Sequence, residues 1–256
     1  MSLIAEMFEN LWLIPLGFVA GVIGSIVGLG GGIVIVPVLT LLGIPHTTAS
    51  SSSLFAAFSN SVGSTASYYR QKRIDFKNGI RLGLFSIPGT IFGAILSAQA
   101  TSDTFKILFG LVLVGSCYYL FVKRNFDSKS KIISSKILLV SSAISFFAGI
   151  LSSFFGIGGG IVFVPLMIIG LGIAVKNATA TSQLVLLFSS ASGMAVHALL
   201  GHANYEYALL MSIGSIMGGL VGARLSVEIK ETRLRLLIII VILIAAIKLF
   251  LDAFGI

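Results

Sequence analysis

A chain of 256 residues with 56% hydrophobic and only 10% charged side chains, at a mean hydropathy of +1.06, has too few charges to cover a water-facing surface, since soluble domains carry roughly 25%. Apolar runs of about 18 residues or more recur along it, which indicates membrane helices and excludes outer-membrane barrels, whose alternating segments are about ten residues long. The net charge of +8 does not signal nucleic acid, because the Lys and Arg residues cluster at 70–81, 123–136 and 230–235, in short loops that report topology.

In chain order, apolar segments are expected at 11–28, 31–43, 48–69, 79–98, 104–122, 137–156, 158–172, 178–200, 206–226 and 234–254. The start, MSLIAEMFEN, is acidic and lacks the basic region of a signal peptide, so the first run is expected to stay as a helix. Cys117 is the sole cysteine and lies in an apolar run, which excludes an internal disulfide and thiolate metal sites. No stretch between segments is long enough for a soluble domain. The expected organisation is a first membrane repeat at 1–125, a basic linker at 126–136 and a second repeat at 137–256.

The repeat is carried by sequence. GLGGGIVIVP at 28–37 returns as GIGGGIVFVP at 156–165, with eight of ten positions identical. Around it, TTASSSS from Thr47 faces NATATS from Asn177, RIDF at 73–76 faces HANY at 202–205, and FGAILS at 92–97 faces VGARLS at 221–226. The offset stays at 128 to 130, so the two halves are copies. The loop at 70–81 is basic and expected on the cytoplasmic side, whereas its counterpart at 201–206, GHANYE, has no Lys or Arg and is expected outside. Equivalent loops on opposite sides define an inverted-topology repeat, with both chain ends external. The fold class is therefore all-α and polytopic. It has two inverted repeats of about five segments each, in which the second and seventh segments are short, follow a glycine break and contain Pro37 or Pro165.

A dinucleotide site would need a preceding strand and a later acidic residue. The chain offers a membrane helix there, and no Asp or Glu between Glu9 and Asp75. Two readings of the glycines remain. Gly28, Gly32, Gly156 and Gly160 fit small-xxx-small packing between helices. Alternatively Gly30, Gly31, Gly32, Gly158, Gly159 and Gly160 hold unwound backbone whose N–H groups, with helices starting at Ile33 and Ile161, form a small anion site. Ser52, Ser53, Thr181, Ser182 and Gln183 lie deeper in the polar runs and join the candidate binding set. Thr47 and Asn177 are expected as N-caps, and Asp75 and Asn204 as turn residues. Asn60 serves either an interhelical hydrogen bond or the ligand. His197, a turn from an external loop, is expected as a satisfied interfacial histidine rather than a proton relay. Lys176 is expected to set topology.

The doubled G-[LI]-G-G-G-[IV]-x-x-V-P motif, the Thr/Ser-rich run after it and the R-I-D turn resemble the sulfite exporter TauE/SafE family of membrane permeases across essentially the whole chain. The resemblance implies transport of a small sulfur-containing anion such as sulfite, sulfoacetate, thiosulfate or a sulfonate across the bacterial inner membrane. The expected partners are this substrate and the lipid bilayer, with no nucleic acid, no cofactor and no metal; a homodimer is an allowed assembly. An intramembrane enzyme would need paired ionisable residues in the spans, and a scaffold would have no use for doubled broken segments.

Overall fold

The structure, a computed structural model, describes residues 10–122, 135–229 and individual helical positions between 236 and 251. The described helices are α1 (Leu13–Val27), α2 (Gly32–Leu41), α3 (His46–Arg70), α4 (Phe76–Gln99), α5 (Ser102–Val122), α6 (Ser135–Phe155), α7 (Gly160–Pro165, continued by a π turn over Leu166–Gly170), α8 (Val175–Leu199) and α9 (Tyr205–Leu225). No strand occurs among the described residues. The first nine expected segments each match one helix. The N-terminus expected outside, most of the linker at 126–136 and most of the segment at 234–254 lie outside the described residues.

Helices α4, α6, α8 and α9 are long and apolar enough to cross a membrane, while α1, α2 and α7 are apolar but shorter. Helix α3 has the length, 25 residues, yet buries Ser50, Ser51, Ser52, Ser53, Asn60, Ser61, Ser64 and Ser67. So polar a helix is tolerable at membrane depth only when protein surrounds it. α3 meets α1, α2, α6, α8 and α9. Much of its polarity is absorbed locally, as where Ser64 donates to the Asn60 carbonyl at 2.7 Å.

The helix ends follow from local chemistry. α1 stops at Gly28, whose left-handed φ of 84° lets its N–H reach the Gly24 carbonyl at 2.9 Å. Asp75 and Asn204 cap α4 and α9, accepting the N–H of Asn78 and Tyr207 at 3.1 Å each. The expected caps Thr47 and Asn177 do not cap. Pro45 and Ala174 occupy the cap positions of α3 and α8 without a side-chain bond, and Thr47 and Asn177 sit inside the first turn. Pro45 and Ala174 are extended there (ψ 137° and 143°), so each helix begins one or two residues before the polar run.

Packing is exchanged between the halves. α1 packs on α9 and α4 on α6; α3 packs on α9 and α4 on α8; the central contact joins α3 to α8. Inside a bilayer, apolar burial between helices gains little over lipid, so close backbone approach and interhelical hydrogen bonds must hold the bundle. A Cβ added at Gly218 would strike the Phe18 carbonyl, and one at Gly89 would strike the Phe146 carbonyl. These two contacts correspond under the repeat offset. Phe105 and Phe109 tie α5 to the end of α6 through Phe155, with the Phe109 and Phe155 rings stacked at 4.9 Å.

The charge pattern makes a direct expectation about sidedness. In a Cys117→Ser background, single cysteines replacing the exposed Lys72 and the half-buried Ala203 are expected to react with impermeant thiol reagents from opposite faces of sealed vesicles. Labelling of both from one side would remove the inverted arrangement.

Candidate functional site

The two glycine loops meet face to face. A Cβ on Gly32 would collide with the Gly156 carbonyl and lie 2.7 Å from Ile157 Cα; one on Gly160 would collide with the Gly28 carbonyl and lie 2.6 Å from Leu29 Cα. Gly30 and Gly158 both border Leu186 and Ala57, which are themselves equivalent positions. The helices after the loops start at Gly32 and Gly160, one residue earlier than expected.

The central glycines do something else. Gly31 and Gly159 both have φ 86°, where L side chains are strained, and each occupies the cap position of its helix. A Cβ on Gly31 would lie 2.8 Å from the Ala20 carbonyl of α1, and one on Gly159 would lie 3.0 Å from Ser152 Cβ of α6. Each centre therefore faces the helix that precedes it in its own half. The loops use packing and left-handed backbone at different glycines, so the two readings of the motif apply to different residues. The N–H groups of Leu29 and Ile157 return to Gly24 and Ser152 at 2.8 and 3.1 Å, whereas those of Gly31, Gly32 and Ile33 have no backbone acceptor among the described residues.

The hydroxyl residues lock the loops across the centre. Ser53 donates to the Gly156 carbonyl at 2.8 Å and Ser182 to the Gly28 carbonyl at 2.6 Å, a reciprocal pair. Ser189 adds a bond to the Gly158 carbonyl at 2.8 Å. Gln183 is a hub. Its Nε2 donates to Gly24 O at 3.0 Å, and its Oε1 accepts from Ser64 at 3.0 Å, Ser61 at 3.2 Å and Asn60 Nδ2 at 3.5 Å. Thr181 Oγ1 accepts the Asp75 N–H at 2.9 Å and so holds the turn into α4.

The halves differ in what they leave unsatisfied. The hydroxyls of Ser51, Ser52, Ser97, Ser152 and Ser153 are buried and without a hydrogen-bond partner. The opposite-half equivalents of Ser52, Ser97 and Ser153 are Thr181, Ser226 and Ser25, and all three are bonded. The orphaned hydroxyls lie where α3 starts and α4 and α6 end. Two bonds join these ends, His46 Nε2 to Ser97 O at 3.3 Å and Ser50 to Phe154 O at 3.4 Å, and His197 Nε2 at the end of α8 adds one to Ser153 O at 3.0 Å. Leu54 sits in the first half where Gln183 sits in the second, and an isobutyl group cannot satisfy those serines. Asn60 Oδ1 is a further buried, unpartnered atom at the α3–α9 contact.

Of the residues singled out in the sequence, Ser53, Ser182 and Gly32 and Gly160 converge on the loop–loop contact. Thr181 and Gln183 are engaged in bonds between elements. Ser52 alone among the chosen hydroxyls is unpartnered. Ser51, Ser97, Ser152 and Ser153 were passed over, and only comparison of their partners with those of the opposite half distinguishes them. Arg73 also surpasses its expected role as a topology charge: it stands 4.9 Å over the Tyr68 ring and donates to Ser226 Oγ and Lys176 O at 2.8 and 2.7 Å. Lys176 itself donates to Val227 O at 2.9 Å. No group of three or more His, Cys, Asp or Glu able to hold a metal occurs among the described residues.

Alanine at Gly32 or Gly160 must separate two backbones, so either change is expected to cost about 1–3 kcal/mol, the range for overpacking. Gly43 is the internal control, since its φ is 80° but nothing lies within 4 Å of an added Cβ. Gly43→Ala carries only the left-handed penalty of about 1–2 kcal/mol. Thermal unfolding in detergent is expected to rank Gly32→Ala with Gly160→Ala and to show the additional loss of a double variant to be less than additive, since both disrupt one contact.

Comparison with known proteins agrees with the membrane architecture. The chain is 31% identical to the probable membrane transporter protein YunE of Bacillus subtilis, over 94% of this chain and 97% of that protein. It is 30% identical to the probable membrane transporter protein MJ0441 of Methanocaldococcus jannaschii, over 90% and 93%, and 24% identical to the probable membrane transporter protein YfcA of Escherichia coli K12, over 98% and 96%. No solved structure matches it. The family described as Sulfite exporter TauE/SafE matches residues 13–249. A multi-pass chain with these relatives and this match over nearly its full length belongs to the TauE/SafE sulfite exporter family of membrane transporters.

Proposed function

We propose that this transporter moves a small sulfur-containing anion, such as sulfite, sulfoacetate, thiosulfate or a sulfonate, across the bacterial inner membrane, and that the anion is held beside the second glycine loop. The observation that carries the reading is the set of five buried, unpartnered serine hydroxyls, all on one end of α3, α4 and α6. A buried hydroxyl without a partner costs roughly 1–3 kcal/mol, and several together are a structural liability unless a ligand uses them. Hydroxyl donors suit an oxyanion because each can turn its proton toward an oxygen, and no fixed positive charge is needed to bind and release it. The α2 start adds the N–H groups of Gly31, Gly32 and Ile33, which have no backbone acceptor among the described residues.

The candidate residues then divide by role. Gly30, Gly31, Gly32, Gly158, Gly159 and Gly160 shape the paired loops, Ser53 and Ser182 fasten them, and Gln183 with Asn60 and Thr181 ties α8 to α1, α3 and the α3–α4 turn. Ser51, Ser52, Ser152 and Ser153 supply donors. The TauE/SafE membership and the names of the relatives support transport rather than catalysis, and the charge of the loops supports both chain ends facing outward.

The test separates binding from stability. Ser51→Ala and Ser52→Ala are expected to leave the ligand-free unfolding midpoint no lower than the parent's while weakening sulfite binding about tenfold or more, since a hydrogen bond to a charged group is worth roughly 1.5–3 kcal/mol. Gln183→Ala is expected to lower the midpoint by stripping the bonds to Gly24, Ser61 and Ser64. Calorimetric titration with sulfite and thiosulfate, beside radiolabelled flux in proteoliposomes, reads both effects. Undiminished binding in both serine variants would move the anion away from these hydroxyls.

A further inference from the structure

The two ends of the bundle carry equivalent latches built from different chemistry. On one end Tyr68 donates its hydroxyl to the Ser25 carbonyl at 2.8 Å and Arg73 covers its ring. At the equivalent places on the other end, His197 Nε2 meets the Ser153 carbonyl at 3.0 Å, and the His202 ring lies 5.2 Å from the His197 ring, with their Nδ1 atoms 3.0 Å apart. The repeat offset maps Tyr68 onto His197, Ser25 onto Ser153 and Arg73 onto His202. Tyr and Arg keep their protonation at every physiological pH, whereas imidazole does not. All three histidines of the chain belong to this end: His46 lies at the start of α3, bonded to Ser97 O, and its charge acts on His202.

We propose that His197 and His202 form a proton-operated latch that controls access to the orphaned serines from this end of the bundle alone. The carbonyl of Ser153 can only accept, so His197 carries its proton on Nε2 when neutral. Its bare Nδ1 then accepts from His202 Nδ1–H, and the latch is closed. One added proton leaves the contact in place, because an imidazolium still donates to a neutral imidazole, and the bond becomes charge-assisted. A second proton puts N–H against N–H and two positive charges at contact distance, so the latch opens. The order is fixed by the geometry: closed with no added proton, tightest with one, open with two.

The surroundings favour opening on the second proton. α3 contributes His46, a third potential cation, and α6 contributes only the Ser153 carbonyl at this contact. The first turn of α9 carries Glu206, Tyr205 and Tyr207, and Glu206 Oε1 is occupied by Asn10 Nδ2 at 3.0 Å. The first turns of α5, next to His46 through Phe105, carry Asp103 and Lys106. The end of α4 brings Ser97 and no charged group, and the rest of the α8–α9 turn, Gly201 and Ala203, has no titratable side chain. Burial and the charge of His46 both hold His202 below the ordinary imidazole range, so its neutral, latched form persists at neutral pH. Sulfite gives an anion that itself gains a proton in weak acid, so a latch that answers to acidity on one face also answers to the form in which the anion is present there.

The inference rests on the functional reading only in what lies behind the latch; its test needs no substrate. Ser152 stands next to Gly159 behind the latch, and a single cysteine there, in the Cys117→Ser background, reports access. In nanodiscs, the labelling rate by an impermeant thiosulfonate reagent is measured from pH 8 to below pH 4 and divided by the rate of an exposed reference cysteine at Lys72. The normalised rate is expected to stay low while the first proton binds and then to rise as pH falls further, by up to about tenfold per pH unit, the limit for the second proton alone. The double variant His197→Tyr with His202→Arg rebuilds the pair of the opposite end, retains a donor for Ser153 O, and is expected to give a low, flat profile. His202→Asn, the milder second variant, is expected to flatten the profile as well. An unchanged pH profile in these variants, or a flat profile in the parent, would overturn the latch. Failure of sulfite to bind, with the pH-dependent labelling intact, would instead count against the functional reading alone.

Discussion

The bundle depends on two backbone turns touching with no side chain between them. Gly32 rests on the carbonyl of Gly156, and Gly160 on that of Gly28. In a bilayer this contact cannot be replaced by a larger apolar interface, because lipid offers apolar side chains almost the same environment as protein does. The turns also leave carbonyls exposed at membrane depth, and those must find donors. Ser53 and Ser182 supply them, each from the opposite half. Glycine at the contact and serine one helix away are thus one device: the glycine brings the carbonyl close and the serine makes it tolerable.

From this contact the rest of the arrangement follows. α3 and α8 must lie at the centre because they carry the serines, and α3 is consequently more polar than a lipid-facing helix can be. α1, α4, α6 and α9 wrap them, and their glycines let backbones approach where side chains would hold them apart. The asymmetry then becomes informative. Gln183 knits α8 to α1 and α3 and accepts from Ser61 and Ser64 on its side. Leu54 stands at the matching place and offers no polar group, and Ser152 and Ser153 on that end are without partners. Two copies of one design have diverged into a braced end and an end with donors to spare.

Much of this was legible in the sequence, for physical reasons. The hydropathy pattern located the nine helices of the described residues because a spanning helix must be apolar over a fixed length, and the repeat offset was visible because glycine and proline cannot be exchanged where backbone geometry is special. The capping roles of Asp75 and Asn204 lay within the turn reading, while Thr47 and Asn177 misled because Pro45 and Ala174 already break the backbone just upstream. The candidate hydroxyls were chosen by depth in their segments, which cannot show whether a hydroxyl is spent. Thr181 and Gln183 are spent on neighbours distant in sequence; Ser51 and Ser152 are not. The pairing of His197 with His202 was also hidden, since it depends on how the α8–α9 turn folds back.

The central claim is that the anion sits on the hydroxyl-rich end, beside the second glycine loop. Selenite has the shape and charge of sulfite and carries a strong anomalous scatterer. Diffraction at the selenium edge from crystals of the methionine-containing protein grown in lipid with selenite tests the claim directly. The account predicts one internal anomalous peak within hydrogen-bonding reach of the Ser51 or Ser52 hydroxyls and of the α6 end at Ser152 and Ser153, and its loss in a Ser51→Ala, Ser52→Ala variant. A peak instead among Thr181, Ser25 and Tyr68, or one that survives in that variant, would contradict it.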